Sequence, residues 1–302
     1  MRAEPGGAAR RTVVITGASS GIGRVAAARL AADGARVALV GRDPGRTHEA
    51  ADEFGAEAFV ADFDRLAEVH ALAEALLSRY DRIDVLMNNA GGLVRRRELT
   101  EDGNERTFQS NHLAPFLLTN LLLDRLRSSA AFGAVRVIST ASSAHRYGRL
   151  RFDDLDWARR PWLGGWGAYG AAKLAVVLFI RELGARLAGT GVSAYAVHPG
   201  VVATRFGHDL AAMRAVDTLT RGRYALSAER GAVPLIALAG PEAPAIASGS
   251  YVDRMHAGAG LAARARGPLA DEQAAELWRV SARLTGLVGT DSGGAGSAPH
   301  VG

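Results

Sequence analysis

The sequence predicts an α/β fold in which a single doubly wound parallel sheet carries helices on both faces. Short apolar runs alternate with helical segments along the chain, which is typical of parallel strands joined by crossover helices. The first run, 12–16 (TVVIT), is β-branched throughout, as expected for a strand buried on both faces. A glycine-rich turn at 17–23 follows it directly and leads into an alanine-rich segment.

The first half of the chain supplies four predicted strands. The helix after the glycine turn ends near Asp33-Gly34, since glycine commonly follows a helix C-terminus. The later elements are strand 36–40, helix 47–54, strand 58–60, helix 66–79 and strand 85–87.

The second half begins with a long helix predicted over 108–126, and the alternation continues to the C-terminus. Its further elements are strand 134–139, helix 169–187, strand 192–197, helix 229–239, strand 249–253 and helix 272–284. Between these, 199–227 mixes small and charged residues, where such a sheet carries a substrate lid. We expect a flexible tail at 1–11, one domain at 12–286 with a lid around 200–227, and a disordered tail at 287–302.

Composition excludes several classes of protein. The chain has 302 residues, 48% of them hydrophobic and 22% charged, and no cysteine, which excludes disulfides and cysteine–zinc sites. No spacing resembles a metal site. No signal-like N-terminus is evident and the apolar runs are short for a bilayer, so we expect a cytoplasmic protein without a membrane span. The net charge is +5, but the arginines are scattered, so no nucleic-acid partner is predicted.

The chain's only lysine, Lys173, lies four residues after Tyr169. On a helix this spacing places the ammonium beside the phenol. Arginine cannot substitute faithfully, because guanidinium is planar and forked. A nearby positive charge favours phenolate, which makes the pair a candidate for proton transfer. Ordinary packing of the ring on the lysine stem is the alternative.

The glycine turn is a candidate phosphate-binding site. Glycine permits positive φ and close backbone approach, and a helix N-terminus offers free N–H groups. Its spacing, with glycines at 17, 21 and 23, differs from the common Gly-x-Gly-x-x-Gly pattern. A plain turn between a strand and a helix is the alternative.

Together these motifs resemble the classical short-chain dehydrogenase/reductase family, over residues 12 to about 286. The resemblance is carried by TGASSGIG at 16–23, NNAG at 88–91, Asn111, the Tyr169–Lys173 pair and HPG at 198–200. Within that family the chain is most similar to the retinol-dehydrogenase-like group. That likeness rests on NHLAPFLLTN at 111–120, SSAH at 142–145 and LWRVS at 277–281. The resemblance implies a Rossmann-type fold.

The resemblance also implies the activity. It is that of an NADP(H)-dependent oxidoreductase interconverting an alcohol and a ketone or aldehyde on an apolar small molecule. Tyr169 is then the general acid/base, Lys173 lowers its pKa and binds the nicotinamide ribose, and Ser142 holds the substrate oxygen. Asn111 anchors a water that links Lys173 to solvent, unless it is simply a buried asparagine.

The assignment of the catalytic serine leaves Ser139 and Ser143 as alternatives to Ser142. Ser142 precedes Tyr169 by 27 residues, about twice the usual spacing in the family, because of an insertion at 147–166 that the retinol-dehydrogenase-like members share. Its three tryptophans either line an apolar substrate pocket or pack the loop; they are Trp157, Trp162 and Trp166. His145 and His198 are interpreted as structural.

The second strand bears on the choice of nucleotide. Arg42 is placed to pair with a 2′-phosphate while Asp43 turns away, which predicts NADP(H) rather than NAD(H); surface charge is the alternative for Arg42. The resemblance assigns Asp62 to the adenine, with a helix N-cap as its alternative. The predicted cofactor-binding residues are Gly17, Ser19, Ser20, Gly21, Ile22, Gly23, Arg42, Asp62, Asn89, Ala90, Gly91, Tyr169, Lys173, Pro199, Gly200, Val202 and Thr204.

Two other functions and the oligomeric state stay open at this point. One is a non-catalytic NADP-sensing or scaffold protein on the same fold. The other is a lyase or epimerase that oxidises its substrate transiently. Members of the family often pair through the helices predicted at 108–126 and 169–187, so the resemblance implies a homodimer or homotetramer.

Overall fold

The computed structural model describes residues 10–202, 226–258 and 265–287. The predicted tails at 1–11 and 287–302, and the lid around 200–227, lie almost wholly outside these residues. The strands are β1 Thr12–Thr16, β2 Arg36–Gly41, β3 Glu57–Val60, β4 Val85–Asn88, β5 Val135–Thr140, β6 Val192–His198, β7 Ser250–Asp253 and β8 His256–Ala257.

The helices lie between the strands and after them. They are α1 Gly21–Ala32, α2 Pro44–Phe54, α3 Leu66–Arg79, α4 Arg106–Phe108, α5 Ala114–Leu121, α6 Leu123–Ser129, α7 Trp166–Arg186, α8 Ala228–Ala239 and α9 Gly267–Leu284. A π-helical segment spans Gln109–Leu113, and short 3-10 segments span Ala130–Phe132, Ser143–Arg146 and Leu163–Gly165.

The strands form one eight-stranded sheet in the order β3-β2-β1-β4-β5-β6-β7-β8. Strands β1 to β7 are parallel, and β8 pairs antiparallel with β7. The predicted α/β fold, a doubly wound parallel sheet with helices on both faces, is confirmed. Strand β8, which has only two residues, was not predicted.

The helix predicted over 108–126 is wrong as a single element. It is divided into α4, the π-helical segment, α5 and α6. In the π-helical segment the N–H of Ala114 donates to the carbonyl of Gln109, five residues back. Pro115 follows and has no N–H to offer the carbonyl of Asn111, so a regular α-helical bond is missing at this point. Pro115 was the available sequence signal for the break.

Both faces of the sheet are covered by helices. Successive residues of β1 point to opposite faces: Val14 belongs to a core with α3, α5, α7 and α9, whereas Ile15 belongs to a core with α1 and α8. On the first face, Trp278 of α9 lies over Phe116 and Phe179, with ring centroids 5.0 and 5.9 Å away.

Helix α7 is long, and most of its residues are buried. By length and composition the stretch Leu163–Arg186 could cross a membrane, since an 18-residue window within it has a mean hydropathy of 1.5. The lengths of the apolar runs in the sequence did not predict this. However, 72% of that window is buried inside the chain, as in the core helix of a globular domain.

The carboxyl ends of the parallel strands meet at one edge of the sheet. Thr16, Gly41, Asn88, Thr140 and His198 end their strands there. Strands β1 and β4 are neighbours although they are not consecutive, so the direction of winding reverses between them. Ligands of open α/β sheets bind at this reversal.

Candidate active site

The glycine turn after β1 presents backbone N–H groups to a cleft. Gly17 and Gly21 have φ values of +65° and +57°, which glycine adopts without strain. Ser20 caps α1 with an extended backbone and, among the described residues, no side-chain hydrogen bond. The first N–H groups of α1 are thus left for a ligand. The residues of the turn that line the cleft are Gly17, Ser19, Ser20, Gly21 and Ile22.

Gly23 supports the turn from behind, outside the described lining of the cleft. A Cβ at this position would lie 2.5 Å from the carbonyl oxygen of Gly17 and would overlap the side-chain amide of Asn89. Gly23 therefore lets α1 approach the turn closely, and sequence spacing alone did not separate this role from ligand contact.

Thr16 and Asn89 lock the ends of β1 and β4 together. The Thr16 hydroxyl accepts hydrogen bonds from the N–H groups of Asn89 and Ala90, both at 3.0 Å. The Asn89 amide nitrogen donates to the carbonyls of Thr16 at 3.1 Å and Gly17 at 3.3 Å. Asn89 lines the cleft with Ala90 and Gly91, but its side chain is used to hold the turn.

The π-helical segment places Asn111 behind Gly91. The Asn111 amide nitrogen donates to the carbonyls of Gly92 and Thr107, each at 2.8 Å. Its buried Oδ1 has no hydrogen-bond partner within the described structure. A Cβ on Gly91 would overlap this oxygen and would lie 3.6 Å from Lys173 Nζ. The oxygen is thus an unpartnered acceptor near the lysine, and the water link between them stays a prediction.

Tyr169 and Lys173 lie on consecutive turns of α7, and both are buried. Lys173 Nζ is 5.7 Å from the centre of the Tyr169 ring and donates to the carbonyl of Thr140 at 2.9 Å. Burial lowers the pKa of Lys173 to about 8. The carbonyl of Thr140 fixes the ammonium at the end of β5.

The effect of Lys173 on the pKa of Tyr169 stays a prediction, because the net pKa of Tyr169 is raised in the protein without nucleotide. Burial raises the pKa of Tyr169 to about 12, against the opposing effect of a hydrogen bond with Ser142. The charge of an ionised Tyr147 acts in the same direction as burial. Desolvation of the phenolate outweighs the stabilising groups nearby. At neutral pH the phenol is therefore protonated.

The structure separates the three candidate serines. Ser142 and Ser143 line the cleft, and the Ser142 side chain hydrogen-bonds Tyr169. Ser142 Oγ also accepts from the N–H of Ala144 at 3.2 Å. Ser139 is buried within β5 outside the described cleft lining, and its hydroxyl has no partner among the described residues. Contact with Tyr169 favours Ser142.

The far end of the cleft is rich in arginine. Arg42 is exposed and 3.7 Å from Asp64, whose carboxylate also accepts from Arg106 Nε at 2.7 Å. Asp43 caps α2 by accepting from the N–H of Arg46 at 2.9 Å, and this hydrogen bond holds the pKa of its carboxyl below the usual value. Asp43 is thus occupied by the helix, as expected. Arg46, which was not among the predicted residues, also lines the cleft.

Asp62 and the segment after β6 complete the predicted set. Asp62 lines the cleft and accepts from the N–H of Asp64 at 3.1 Å, so it closes a turn ahead of α3 instead of capping the helix. Pro199, Gly200 and Val202 line the cleft as well. Thr204 lies outside the described residues.

The tryptophans of the insertion have different roles. Trp157 stacks with Arg160, whose guanidinium carbon is 3.7 Å from the ring centre. Trp162 donates its indole N–H to the carbonyl of Arg95 at 2.7 Å. Of the three, only Trp166 belongs to the described cleft lining, where Tyr147, an unpredicted residue, joins it. The insertion both packs the loop and contributes to the cleft.

The histidines near the cleft are structural in character. His145 Nδ1 lies 2.7 Å from the carbonyl of Ser142. Burial lowers the pKa of His198 to about 4, so it is neutral at neutral pH. Within the described ranges, no group of three or more histidine, aspartate or glutamate side chains could hold a metal ion.

The cleft has a volume of about 1290 Å³ and runs from the arginine-rich end past the glycine turn to Tyr169. That volume exceeds the usual range for a single small ligand, roughly 300–1,000 Å³. The free N–H groups of α1, the close approach allowed by Gly17, and the unpartnered Asn111 Oδ1 beside Lys173 fit a dinucleotide with a reacting group at its far end.

Comparisons with known proteins agree with this geometry. A family model described as short chain dehydrogenase matches residues 11–153 and 158–215. A candidate daunorubicin C-13 ketoreductase of Streptomyces sp. (strain C5) is 42% identical over 289 residues, covering 93% of this chain and 94% of that protein. Retinol dehydrogenase 13 of Homo sapiens is 39% identical over 291 residues, covering 92% and 85%.

Among solved structures, the Pseudomonas aeruginosa RhlG/NADP active-site complex is similar to this chain. Its TM-score is 0.66 at 28% sequence identity, and the match covers 83% of this chain and 96% of that one.

Proposed function

This chain belongs to the short-chain dehydrogenase family of oxidoreductases, and we propose that it uses NADP(H) to interconvert an alcohol and a ketone or aldehyde on an apolar small molecule. Ser142, Tyr169 and Lys173 share one cleft with the glycine turn, and this observation carries the proposal. Relatives named as a ketoreductase and a retinol dehydrogenase support a carbonyl–alcohol pair. Bound NADP(H) supplies the hydride chemistry.

The side chains of the cleft handle the proton. In reduction, Tyr169 donates its phenolic proton to the carbonyl oxygen as the carbonyl carbon gains hydride. Ser142, hydrogen-bonded to Tyr169, polarises the same oxygen as charge develops on it. In oxidation the alcohol proton passes to Tyr169, which must first be deprotonated. The ammonium of Lys173 is the positive side chain that lowers the free energy of that phenolate.

NADP(H) is proposed over NAD(H) because of the arginine-rich end of the cleft. Asp64 is bound closely by Arg106 and only loosely by Arg42, so the Arg42 guanidinium is free to bind a second anion. A 2′-phosphate supplies that anion, and a guanidinium binds it with paired hydrogen bonds.

Fluorescence titration with NADPH and NADH tests the cofactor. We expect tighter binding of NADPH, and reversal of that preference in Arg42→Asp. Arg127→Asp, on α6 away from the cleft, makes the same charge change and should leave the preference intact. Binding of neither nucleotide by the wild-type chain would refute the proposal.

Replacement of the phenol tests the chemistry. Tyr169→Phe should abolish NADPH oxidation in a panel of apolar ketones and aldehydes while NADPH binding is retained. If the wild type binds NADPH tightly but turns over no carbonyl or alcohol, a non-catalytic nucleotide-sensing role replaces this proposal.

The oligomeric state and cytoplasmic location stay proposals. Trp278 of α9 already contacts Phe116 and Phe179. Two subunits that pair through 108–126 and 169–187 therefore have to use the surface of these segments that α9 leaves uncovered. Light scattering measures the mass directly, against 31.6 kDa for one chain.

A further inference from the structure

Two large aromatic side chains that the proposed chemistry does not use lie beside the reacting groups. Tyr147 and Trp166 line the cleft together with Ser142 and Tyr169. They are 50% and 38% exposed, although aromatic rings of this size are largely buried on average. An apolar surface exposed inside a cleft marks a ligand-binding surface more strongly than a single ring exposed on a convex face.

The position of Tyr147 is fixed by two glycines. A Cβ on Gly148 would overlap the carbonyl of Gly170, so the chain passes directly over the first turns of α7. A Cβ on Gly170 would lie 2.7 Å from Tyr147 Cε2. The Tyr147 ring therefore rests on the backbone of α7 at Gly170, the residue after Tyr169. Any side chain at position 170 would displace the ring.

The position of Trp166 is fixed by the loop that precedes it. Gly165 has a φ of +82° and packs against the carbonyl of Val94, which holds the start of α7 on the neighbouring loop. The Trp162 indole is anchored to the same loop. The Trp166 ring stands edge-on to the Tyr169 ring, with centroids 6.3 Å apart and planes at 86°.

We propose that Tyr147 and Trp166 form an aromatic subsite for the flat ring system of a fused-ring aromatic ketone, and that they set the preference for it over aliphatic ketones. This inference rests on the proposed function, since it names the substrate class of the same cleft. A flat ring that covers these side chains buries apolar area and gains aromatic contacts. The contacts described above already hold the Tyr147 and Trp166 side chains in place, so binding costs little side-chain entropy.

The experiment compares two ketones in the NADPH-dependent assay, 2-acetylnaphthalene and hexan-2-one. The measured quantity is the ratio of kcat/KM for the aromatic ketone to kcat/KM for the aliphatic one. We expect Trp166→Ala and Tyr147→Ala each to lower this ratio about tenfold, mainly through KM of the aromatic ketone. Tyr147→Phe keeps the ring and should keep the ratio. Leu163→Ala, at an exposed position of the same loop, is the matched control.

The outcomes separate this inference from the proposed function. If the ratio is unchanged in both alanine variants, or if Leu163→Ala lowers it equally, the aromatic subsite is refuted while the reductase activity stands. If the wild type reduces neither ketone, calorimetry of 2-acetylnaphthalene binding to the NADP⁺-loaded protein decides. Binding that Trp166→Ala weakens tenfold supports the subsite, and absent or unaltered binding refutes it.

Discussion

Gly23→Ala tests the close approach of α1 to the glycine turn. The added Cβ would lie 2.5 Å from the Gly17 carbonyl oxygen, and atoms of these types are essentially never closer than 3.0 Å. Backbone lies on both sides of this contact, so the turn or the helix must move by about 0.5 Å or more. Overpacking of this kind costs roughly 1–3 kcal/mol, against a gain of about 1 kcal/mol from replacing glycine within a helix.

We therefore expect Gly23→Ala to lower the free energy of unfolding by up to about 2 kcal/mol. It should also weaken NADPH binding by about tenfold or more, because the N–H groups of the turn are displaced with the backbone. Chemical denaturation measures the first effect, and nicotinamide fluorescence titration the second.

Gly45→Ala is the matched control for this experiment. Gly45 lies in α2 at an ordinary φ, and its added Cβ would be 3.6 Å from the nearest atom, the Asp43 carboxylate. That variant should be as stable as the wild type or more stable, by up to about 1 kcal/mol, and bind NADPH normally. If Gly23→Ala behaves like Gly45→Ala in both assays, the close approach is not real.

Three further predictions concern polar side chains. Ser142→Ala should lower kcat for carbonyl reduction by about 10²-fold or more, whereas Ser139→Ala should leave kcat within about twofold, and similar losses in both would undo the assignment. Burial lowers the pKa of His112 to about 3, so between pH 6.5 and 3 the unfolded chain binds a proton that the folded chain does not. The free energy of unfolding therefore falls as pH drops through that window, by up to about 1.4 kcal/mol per pH unit. His112→Leu should be less stable than the wild type at pH 7, but its free energy of unfolding should lack this dependence on pH in acid denaturation. Arg160→Met removes the closest guanidinium partner of the Asp154 carboxylate, at 2.7 Å in the wild type, and should lower the denaturation midpoint; an unchanged midpoint would contradict this.

The sheet could be predicted because its strands are buried on both faces. A strand such as β1 shows as a continuous β-branched run, and the turns that follow such runs meet at one edge. The main motifs of the site were therefore visible in sequence order. The positions of Ser142, Tyr169 and Lys173 in one cleft follow from that topology.

Properties that depend on distance across the fold could not be predicted in this way. The spacing of Tyr169 and Lys173 suggested a pKa of the phenol below its usual value, but burial raises that pKa instead. The burial of Tyr169 depends on elements far away along the chain. Likewise Tyr147 reaches the cleft only because Gly148 and Gly170 let two segments touch, which no local pattern reveals.

The scarcity of lysine makes the stability of α7 directly observable. A lysine-specific protease has one site within this chain, after Lys173, and cleavage there yields pieces of 173 and 129 residues. The side chain is 4% exposed and its backbone is helical, so the protease can cut only molecules in which this helix has opened. When reclosing is faster than cutting, the rate of cleavage reports the population of that open form. Adding nucleotide during digestion then measures, without any label, how strongly a ligand holds the catalytic helix closed.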